Sequence, residues 1–287
     1  MNLKDKKFLP YYIMAAVIII CAFTAVTIIK IADINNITET TTTELASEFL
    51  NGEIPYYEDI PASAYSKEKF TEIDGRMIYD DANINYYTGI DVSSYQGEID
   101  WMAVKNDGID FAIIRIGFRG YGSAGNISPD EAAEKNLQEA KKAGLKTGVY
   151  FYSQATNITE AQEEANFVIN AIKNHDIDYP VVFDWENDPG VGMRTDGMTA
   201  TEITPCAVAF CEKIKAAGYL PAVYFNLSDA YDRYNLDEIS NYTFWYAQFE
   251  GEAPDFYYDY SIWQYSDCGK VKGINGKVDL NICFTSF

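Results

Sequence analysis

Two carboxylates, Asp184 and Glu186, stand two positions apart at the end of the apolar run Val181-Val-Phe-Asp-Trp-Glu186. In a β-strand, residues i and i+2 point to the same face, so both side chains would face one way with their Cα atoms roughly 6.5–7 Å apart. Hydrolysis of a glycosidic bond uses such a pair, because one carboxyl group protonates the leaving oxygen while the other stabilises positive charge at the sugar carbon. An isolated pair at a strand end is commonly only solvated, so its context decides.

Alternating strands and helices are predicted from Tyr87 onward. Five predicted strands are each followed by a helix, at 89–92, 111–116, 146–152, 180–185 and 219–225. Three further strands with only loops between them are predicted at 243–248, 260–264 and 277–280. Strands that alternate with helices form parallel sheets, and eight strands can close into a barrel. We therefore predict an α/β fold, a TIM-like barrel of the (β/α)5(β)3 type.

Acidic residues fall on the ends of these predicted strands. Asp91 lies at the end of the first strand, and Asp279 lies on the eighth. The pair Asp184 and Glu186 ends the fourth strand. Because barrels of this kind carry their chemistry at the carboxyl ends of the strands, we expect the four carboxylates to meet at one mouth.

Several segments along the predicted barrel occur in a specific order. The first is Gly89-Ile-Asp-Val-Ser-Ser-Tyr-Gln-Gly97, with Ile99-Asp-Trp101 after it. The others are Phe111-Ala-Ile-Ile-Arg115, Gly148-Val-Tyr-Phe151, Phe183-Asp-Trp-Glu186, Phe244-Trp-Tyr-Ala-Gln248, Ile262-Trp-Gln-Tyr265 and Val278-Asp-Leu-Asn281. Over residues 88–284 this order resembles the glycoside hydrolase family 25 lysozymes, the Chalaropsis-type muramidases. The resemblance implies a barrel of five β/α units and three further strands.

The resemblance also implies an activity, cleavage of the β-1,4 bond between N-acetylmuramic acid and N-acetylglucosamine in peptidoglycan. It implies Glu186 as the general acid, and three nearby carboxylates should raise the pKa of its carboxyl group because like charges disfavour ionisation. Asp184 would stay ionised and assist the substrate acetamide or the oxocarbenium-like centre. Asp91 and Asp279 would tune the charge and hold sugar hydroxyls or water. The candidate sugar-contacting residues, at or near strand ends, are Tyr150, Trp263 and Tyr265.

The spacing of the two carboxylates bears on the mechanism. Carboxyl groups that act as acid and nucleophile lie about 5–5.5 Å apart, so the wider predicted spacing disfavours a covalent intermediate on Asp184. Retention assisted by the acetamide of the substrate fits the family better. One residue departs from the family pattern, since Trp185 stands where the family often has Val or Ala. Strand alternation should direct Trp185 away from the mouth, between the barrel and its helices.

Other functions are less well supported. The net charge of −21 argues against a nucleic-acid partner. The only histidine, His175, leaves no pair of histidines for a metal-dependent deacetylase, and we expect neither a metal nor another cofactor. A chitinase-like glycosidase would need acidic residues at 179 and 182, which are Tyr179 and Val182. A non-catalytic wall-glycan-binding module on the same barrel would typically lack Asp184 or Glu186.

The amino-terminal residues predict a membrane anchor. Residues 8–29 carry no charge, and such a run can cross a bilayer as a helix. Basic residues precede it and acidic residues follow it, so we expect 1–7 in the cytoplasm and the remainder outside. We expect 30–86 to form an extracellular linker or stalk, partly ordered near Phe70 to Tyr79, and 87–287 to form the catalytic domain. A signal peptide that is cleaved to give a secreted protein is the alternative. We expect a monomer that acts on peptidoglycan glycan strands.

Four cysteines follow the predicted anchor. Cys268 and Cys283 flank a glycine-rich segment that could fold back as a hairpin, so this is the disulfide we expect in an extracellular setting. Cys206 and Cys211 lie five positions apart on a predicted helix and do not share a face, so we expect no bond between them.

Overall fold

The computed structural model describes residues 55–187, 192–249 and 251–287. Residues 57–287 form one compact unit. The predicted tail at 1–7 and the predicted anchor at 8–29 lie outside the described residues, as does the predicted stalk up to residue 54. Within the described ranges, no helix combines the length and the apolar composition that crossing a bilayer requires.

A small antiparallel hairpin precedes the barrel. Its strands are β1 (Phe70–Ile73) and β2 (Arg76–Tyr79). The two residues between them have positive φ, 51° at Asp74 and 76° at Gly75. Asp and Gly tolerate this left-handed conformation, which matches the twist of a two-residue hairpin.

Eight strands close into a barrel. The remaining strands, in chain order, are β3 (Tyr87–Val92), β4 (Phe111–Arg119), β5 (Ile127–Pro129), β6 (Lys146–Tyr152), β7 (Val181–Asp184), β8 (Pro221–Asn226), β9 (Thr243–Ala247), β10 (Ile262–Gly269) and β11 (Val278–Cys283). The sheet order is β3-β11-β10-β9-β8-β7-β6-β4, and β4 pairs with β3 to close the ring. Strand β5 pairs only with the end of β4. The predicted α/β barrel of eight strands is confirmed.

Strand direction is uniform except at β11. Each pair from β3 through β4, β6, β7, β8, β9 and β10 is parallel. Strand β11 runs antiparallel to both of its neighbours, β10 and β3. The first residues of β11 therefore lie at the same end of the barrel as the last residues of the other seven strands.

Helices follow the first five parallel strands. They are α1 (Trp101–Asn106), α2 (Ala133–Lys142), α3 (Ile158–Ile172), α4 (Ala200–Ala216), α5 (Leu227–Asp232) and α6 (Leu236–Ile239). Among the described residues, the connections between β9, β10 and β11 contain no helix. This order of elements agrees with the one predicted from the sequence.

Several helices begin at other residues than the sequence suggests. Ser128, Pro129 and Glu131 have the sequence pattern of a capping box and predict a helix start at Ser128, but this is wrong, because Ser128 pairs with Phe118 of β4 as part of β5. Helix α3 is capped by Asn157, whose side chain accepts a hydrogen bond from Glu160 N. Helix α4 begins before Thr204, because Thr199 and Glu202 form a capping box one turn earlier.

Apolar side chains fill two separate layers. One lies inside the barrel and includes Val182, and the other lies between the strands and the helices and includes Val181 and Phe183. Alternation along β7 thus sends neighbouring residues to opposite sides. Trp185 is 1% exposed and belongs to the outer layer, packed edge-on against Tyr234. The predicted direction of Trp185 is confirmed.

The hairpin covers the outer wall that lacks helices. Phe70 packs edge-on against Trp263 of β10 with ring centroids 5.2 Å apart. Tyr65 stacks on Phe284, just after β11, at 4.0 Å. Residues 57–86 therefore belong to the compact unit, and the domain boundary that we placed at Tyr87 moves to Tyr57.

All four described cysteines are free. The expected bond between Cys268 and Cys283 is wrong, although β10 and β11 do form a hairpin. In its register Cys283 pairs with Ile262, at the far end of the ladder from Cys268. Cys283 is buried and Cys268 is exposed, so the two thiols do not meet.

Loss of the hairpin's aromatic contact should destabilise the barrel. Phe70 is 6% exposed, and Phe70→Ala removes the ring that covers Trp263. We expect the free energy of unfolding to fall by about 3 kcal/mol in a urea titration, because truncation leaves a cavity. Ile73 of the same hairpin is 51% exposed, so Ile73→Ala is the matched control and should change stability by less than about 0.5 kcal/mol. Equal stability of the two variants would show that the hairpin does not support the barrel.

Candidate active site

A cavity of about 450 Å³ opens at the carboxyl ends of the parallel strands. All four carboxylates predicted from the sequence line it, namely Asp91, Asp184, Glu186 and Asp279. Of the three sugar-contact candidates, Tyr150 also lines it. Residues that we did not predict complete the inner wall, among them Arg115, Tyr152, Tyr224, Trp245, Gln264 and Asp267.

The reversed direction of β11 explains the position of Asp279. This residue is the second of its strand and pairs directly with Asp91, near the end of β3. Side chains directly opposite each other in an antiparallel pair lie about 4.5–5.5 Å apart at Cβ. The two carboxyl groups are joined by a hydrogen bond. They therefore form a pair of acids on one wall of the cavity.

Asp184 and Glu186 reach the cavity by different means. Asp184 is the last residue of β7 and is 5% exposed, whereas Glu186 lies beyond the end of the strand and is half-buried. Because Glu186 is not part of β7, strand alternation explains the direction of Asp184 only. Both side chains nevertheless line the cavity. Between them, Trp185 is buried in the outer layer and anchors this turn.

Buried amide groups hold Asp91. Its Oδ2 accepts hydrogen bonds from Gln264 Nε2 at 2.7 Å and from Asn281 Nδ2 at 2.8 Å. The carbonyl oxygen of Gln264 accepts from the Tyr224 hydroxyl at 2.8 Å, and that of Asn281 accepts from Trp245 Nε1 at 2.8 Å. Asp91 is thus fixed by residues of β10 and β11, each supported by an aromatic donor.

Burial raises the pKa of the aspartates in the cavity. The pKa of Asp279 is raised to about 9 by burial, then by the charge of Asp91 and by the hydrogen bond to it. Burial also raises the pKa of Asp91, against the hydrogen bonds from Asn281 and Gln264 that favour its ionised form. Of the two groups, Asp279 is therefore the one that favours keeping its proton at neutral pH.

Asp184 lies in a similar environment. Burial raises its pKa well above the usual value, the charges of Glu186 and Asp91 raise it further, and Arg115 lowers it. This direction opposes our expectation that Asp184 stays ionised, because the closed barrel desolvates it more than a strand end would. Asp184 Oδ1 is buried and has no hydrogen-bond partner among the described residues.

Arg115 provides positive charge on the cavity wall. Its guanidinium is 2.8 Å from the buried carboxylate of Asp130, which fixes its position. The same group lies 4.9 Å from the ring centroid of Tyr95 and 5.4 Å from that of Phe118. Arg115 therefore offsets part of the negative charge without being free to swing away.

Two of the predicted sugar contacts are placed elsewhere. Trp263 and Tyr265 belong to the outer apolar layer, under the hairpin, and do not line the cavity. On β10, Ile262 precedes Trp263, and Gln264 lies between Trp263 and Tyr265. Both Ile262 and Gln264 face the barrel interior. Counting alternation from the apolar Ile262 would have identified Gln264 as the inward residue. The same count along β4 would have identified Arg115.

Within the described ranges, no cluster of three or more His, Cys, Asp or Glu side chains has the geometry of a metal site. The cavity is lined by several carboxyl groups together with hydroxyl, amide and guanidinium groups. Such a group can transfer protons and stabilise positive charge.

The fold and the site define a class, an α/β barrel with acid–base carboxyl groups at the carboxyl ends of its strands. Residues 90–274 match the model of the family described as Glycosyl hydrolases family 25. The chain belongs to this family, and the resemblance inferred from its motifs is confirmed.

Several known proteins are similar to this chain. The autolytic lysozyme of Clostridium acetobutylicum is 29% identical over 193 residues, which are 67% of this chain and 54% of that protein. Lysozyme M1 of Streptomyces globisporus is 26% identical over 201 residues, 67% of this chain and 66% of that protein. The chain thus spans about half the length of the first relative and about two thirds of the second.

Solved structures share the fold. The modular autolysin LytC from Streptococcus pneumoniae, solved in complex with a synthetic peptidoglycan ligand, has a TM-score of 0.63 at 26% identity and aligns over 74% of this chain and 51% of its own. A family 25 glycosyl hydrolase from Bacillus anthracis has a TM-score of 0.58 at 22% identity, over 75% of this chain and 95% of its own. The second likeness concerns the fold alone.

The raised pKa of Asp279 predicts a pH-dependent stability. An unfolded aspartate has a pKa near 3.9, so the folded chain holds a proton that the unfolded chain releases. This contribution is complete below about pH 3.9 and is lost as the pH rises towards 9. Asp279→Asn keeps a neutral group at this position, so we expect stability to fall less between pH 5 and pH 9 than in the wild type, as measured by urea unfolding.

The control for this experiment is Asp74→Asn, which removes an exposed carboxylate from the hairpin turn and is compatible with its positive φ. It should keep the wild-type dependence on pH. If Asp279→Asn also kept it, Asp279 would not hold the proton.

Proposed function

We propose that this chain is a peptidoglycan hydrolase, a muramidase that cleaves the β-1,4 bond between N-acetylmuramic acid and N-acetylglucosamine. The observation that carries the proposal is the convergence of Asp91, Asp184, Glu186 and Asp279 in one cavity at the mouth of a family 25 barrel. The names of two relatives, an autolytic lysozyme and Lysozyme M1, support the same substrate.

Glu186 is the residue that we assign as the general acid. It is half-buried beyond the end of β7, whereas Asp184 is 5% exposed behind it. A glycosidic oxygen in the cavity therefore meets Glu186 first. Proton transfer to that oxygen allows the bond to the leaving sugar to break.

Asp184 is the residue that we assign to assist the acetamide of the substrate. Its buried Oδ1 lacks a hydrogen-bond donor among the described residues, and the N–H of an N-acetyl group would supply one. The acetamide oxygen would attack the anomeric carbon as the bond to the leaving oxygen breaks and Glu186 gives up its proton. Asp184 acts as the carboxylate, its proton having passed to water before the attack, and the positive charge that develops on the ring formed by the acetamide stabilises that carboxylate. Water then attacks the anomeric carbon, the bond between that carbon and the acetamide oxygen breaks to restore the N-acetyl group, and Glu186 takes a proton from the water.

Mutation of the general acid should abolish cleavage. Glu186→Gln keeps the shape of the side chain but cannot give up a proton, so we expect at least a 100-fold lower release of reducing ends from purified cell walls, in keeping with the roughly 10²–10⁴-fold effect of acid–base catalysis. Mass spectrometry of the muropeptides from the wild-type digest should show N-acetylmuramic acid at the new reducing ends.

The matched control is Glu72→Gln, an identical change at an exposed residue of β1 that should leave the rate unchanged. Products ending in N-acetylglucosamine would indicate a glucosaminidase or chitinase-like enzyme. Binding of walls without any cleavage would indicate a glycan-binding module. Full activity of Glu186→Gln would exclude Glu186 as the acid.

We further propose that residues 8–29 hold the enzyme at the cell membrane as an uncleaved single-pass anchor, with the barrel outside. The support is the length of the uncharged run and the basic residues that precede it. All four carboxylates of the cavity come from one chain, which supports a monomer as the active form.

Fractionation of cells tests the anchor. We expect the full-length chain to sediment with membranes, to resist extraction by high salt and to be released by detergent, because a spanning helix is held by its apolar surface. A chain that begins at Pro55 should stay in the soluble fraction. Recovery of a soluble mature protein whose first residue lies after the apolar run would instead establish a cleaved signal peptide and a secreted enzyme.

A further inference from the structure

Asp91 is held by two amide side chains that were not among the site residues predicted from the sequence, although both lie in segments shared with the family. Gln264 Nε2 and Asn281 Nδ2 both donate to the same oxygen, Asp91 Oδ2, at 2.7 and 2.8 Å. The two amides come from neighbouring strands, β10 and β11, and all three residues are at most 5% exposed. Little of their surface is therefore open to competing hydrogen bonds from solvent.

The orientation of each amide is fixed by a second partner. Trp245 Nε1 can only donate, and its hydrogen bond of 2.8 Å ends on Asn281 Oδ1. The amide nitrogen of Asn281 must then point towards Asp91. In the same way, the Tyr224 hydroxyl donates to Gln264 Oε1 at 2.8 Å and directs the Gln264 nitrogen to Asp91.

This arrangement determines which oxygens can carry a proton. Amide nitrogens are donors only, so Asp91 Oδ2 must act as an acceptor in both hydrogen bonds. A proton on that oxygen would break one or both bonds and leave a buried donor without a partner. Both hydrogen bonds also favour the ionised form of the whole Asp91 carboxylate, whereas burial and the charge of Asp91 raise the pKa of Asp279 to about 9, so Asp279 is the favoured holder of the shared proton.

We propose that Asn281 and Gln264 are positioning residues for the reaction, and that they keep Asp91 as a fixed negative charge at the wall of the cavity while Trp245 and Tyr224 lock their orientation. The inference rests on the proposed function for its catalytic consequence. The clamp formed by these four residues would set the lower pH limit of activity, because Asp91 loses its charge when the clamp is removed.

Other titratable groups face Asp91 across the cavity and contribute to the same limit. They are Arg115 on β4, Tyr150 on β6, Asp184 and Glu186 on or beyond β7, Tyr224 on β8, Asp267 on β10 and Asp279 on β11. The tyrosines Tyr150 and Tyr224 stay neutral, because burial raises the pKa of each well above its usual value. The variants below leave all of these groups in place.

Two substitutions of Asn281 should move the pH profile of kcat in opposite directions. Asn281→Leu removes a donor to Asp91, which raises the pKa of Asp91, so activity on the acid side should be lost at a pH higher by about one unit or more. Asn281→Asp can bridge Trp245 and Asp91 only when the new carboxyl group is protonated. Its activity should therefore be low at neutral pH and recover as the pH falls.

Trp245→Phe serves as a second variant that keeps an aromatic ring and removes only the N–H. Without this lock the Asn281 amide can turn its oxygen towards Asp91, so we expect a shift in the same direction as Asn281→Leu but smaller. Asn174→Asp is the matched control, since it adds the same charge at an exposed position after α3 and should keep the wild-type profile. Thermal unfolding of each variant establishes that it is folded.

A readout that does not need activity separates this inference from the proposed function. Titration of side-chain carboxyl carbons by ¹³C NMR, with Asp91 assigned through Asp91→Asn, should show its midpoint at higher pH in Asn281→Leu than in the wild type. If the Asp91 midpoint differs in this way between the two proteins but the wild type cleaves no glycan, the clamp stands and the proposed function fails. Folded variants with unchanged pH profiles and unchanged Asp91 titration would overturn the clamp.

Discussion

The antiparallel direction of β11 is the constraint on which the site depends. This strand closes the barrel between β10 and β3 and is reversed relative to both. Its first residues therefore arrive at the mouth, where Asp279 meets Asp91 and Asn281 binds it. A parallel last strand would place these residues at the opposite end of the barrel. The acid pair and its hydrogen bonds follow from this single reversal.

The same closure leaves one side of the barrel without helices. Aromatic side chains from residues 57–86 cover that wall, with Phe70 on Trp263 and Tyr65 on Phe284. Packing on the outside and chemistry on the inside thus use alternate residues of β10. Trp263 contributes to the outer layer, and its neighbour Gln264 contributes to the cavity.

The barrel and its four carboxylates could be predicted from the sequence because each depends on local signals. Strand–helix alternation marks the barrel, and Asp91, Asp184 and Glu186 lie where strands end. The remaining wall of the cavity depends on the side of the strand that each residue occupies. Trp263 has an aromatic side chain of the kind that stacks on sugars. Its neighbour Ile262 packs inside the barrel, however, so strand alternation turns Trp263 to the outer layer. The disulfide expectation failed for a similar reason, since the register of β10 and β11 separates Cys268 from Cys283.

The site is assembled from segments that are far apart in the chain, so it is completed late in folding. The hydrogen bond from Asn281 to Asp91 joins residues 190 positions apart, and closure of β3 on β11 joins equally distant segments. Contacts of such long range form late and slowly, because loop closure must precede them. During synthesis Asp91 emerges long before its partners, so the cavity is incomplete until the last strand has been made. A ribosome-bound chain that lacks its last strand therefore has no assembled acid pair, and the cavity is complete only in the finished barrel.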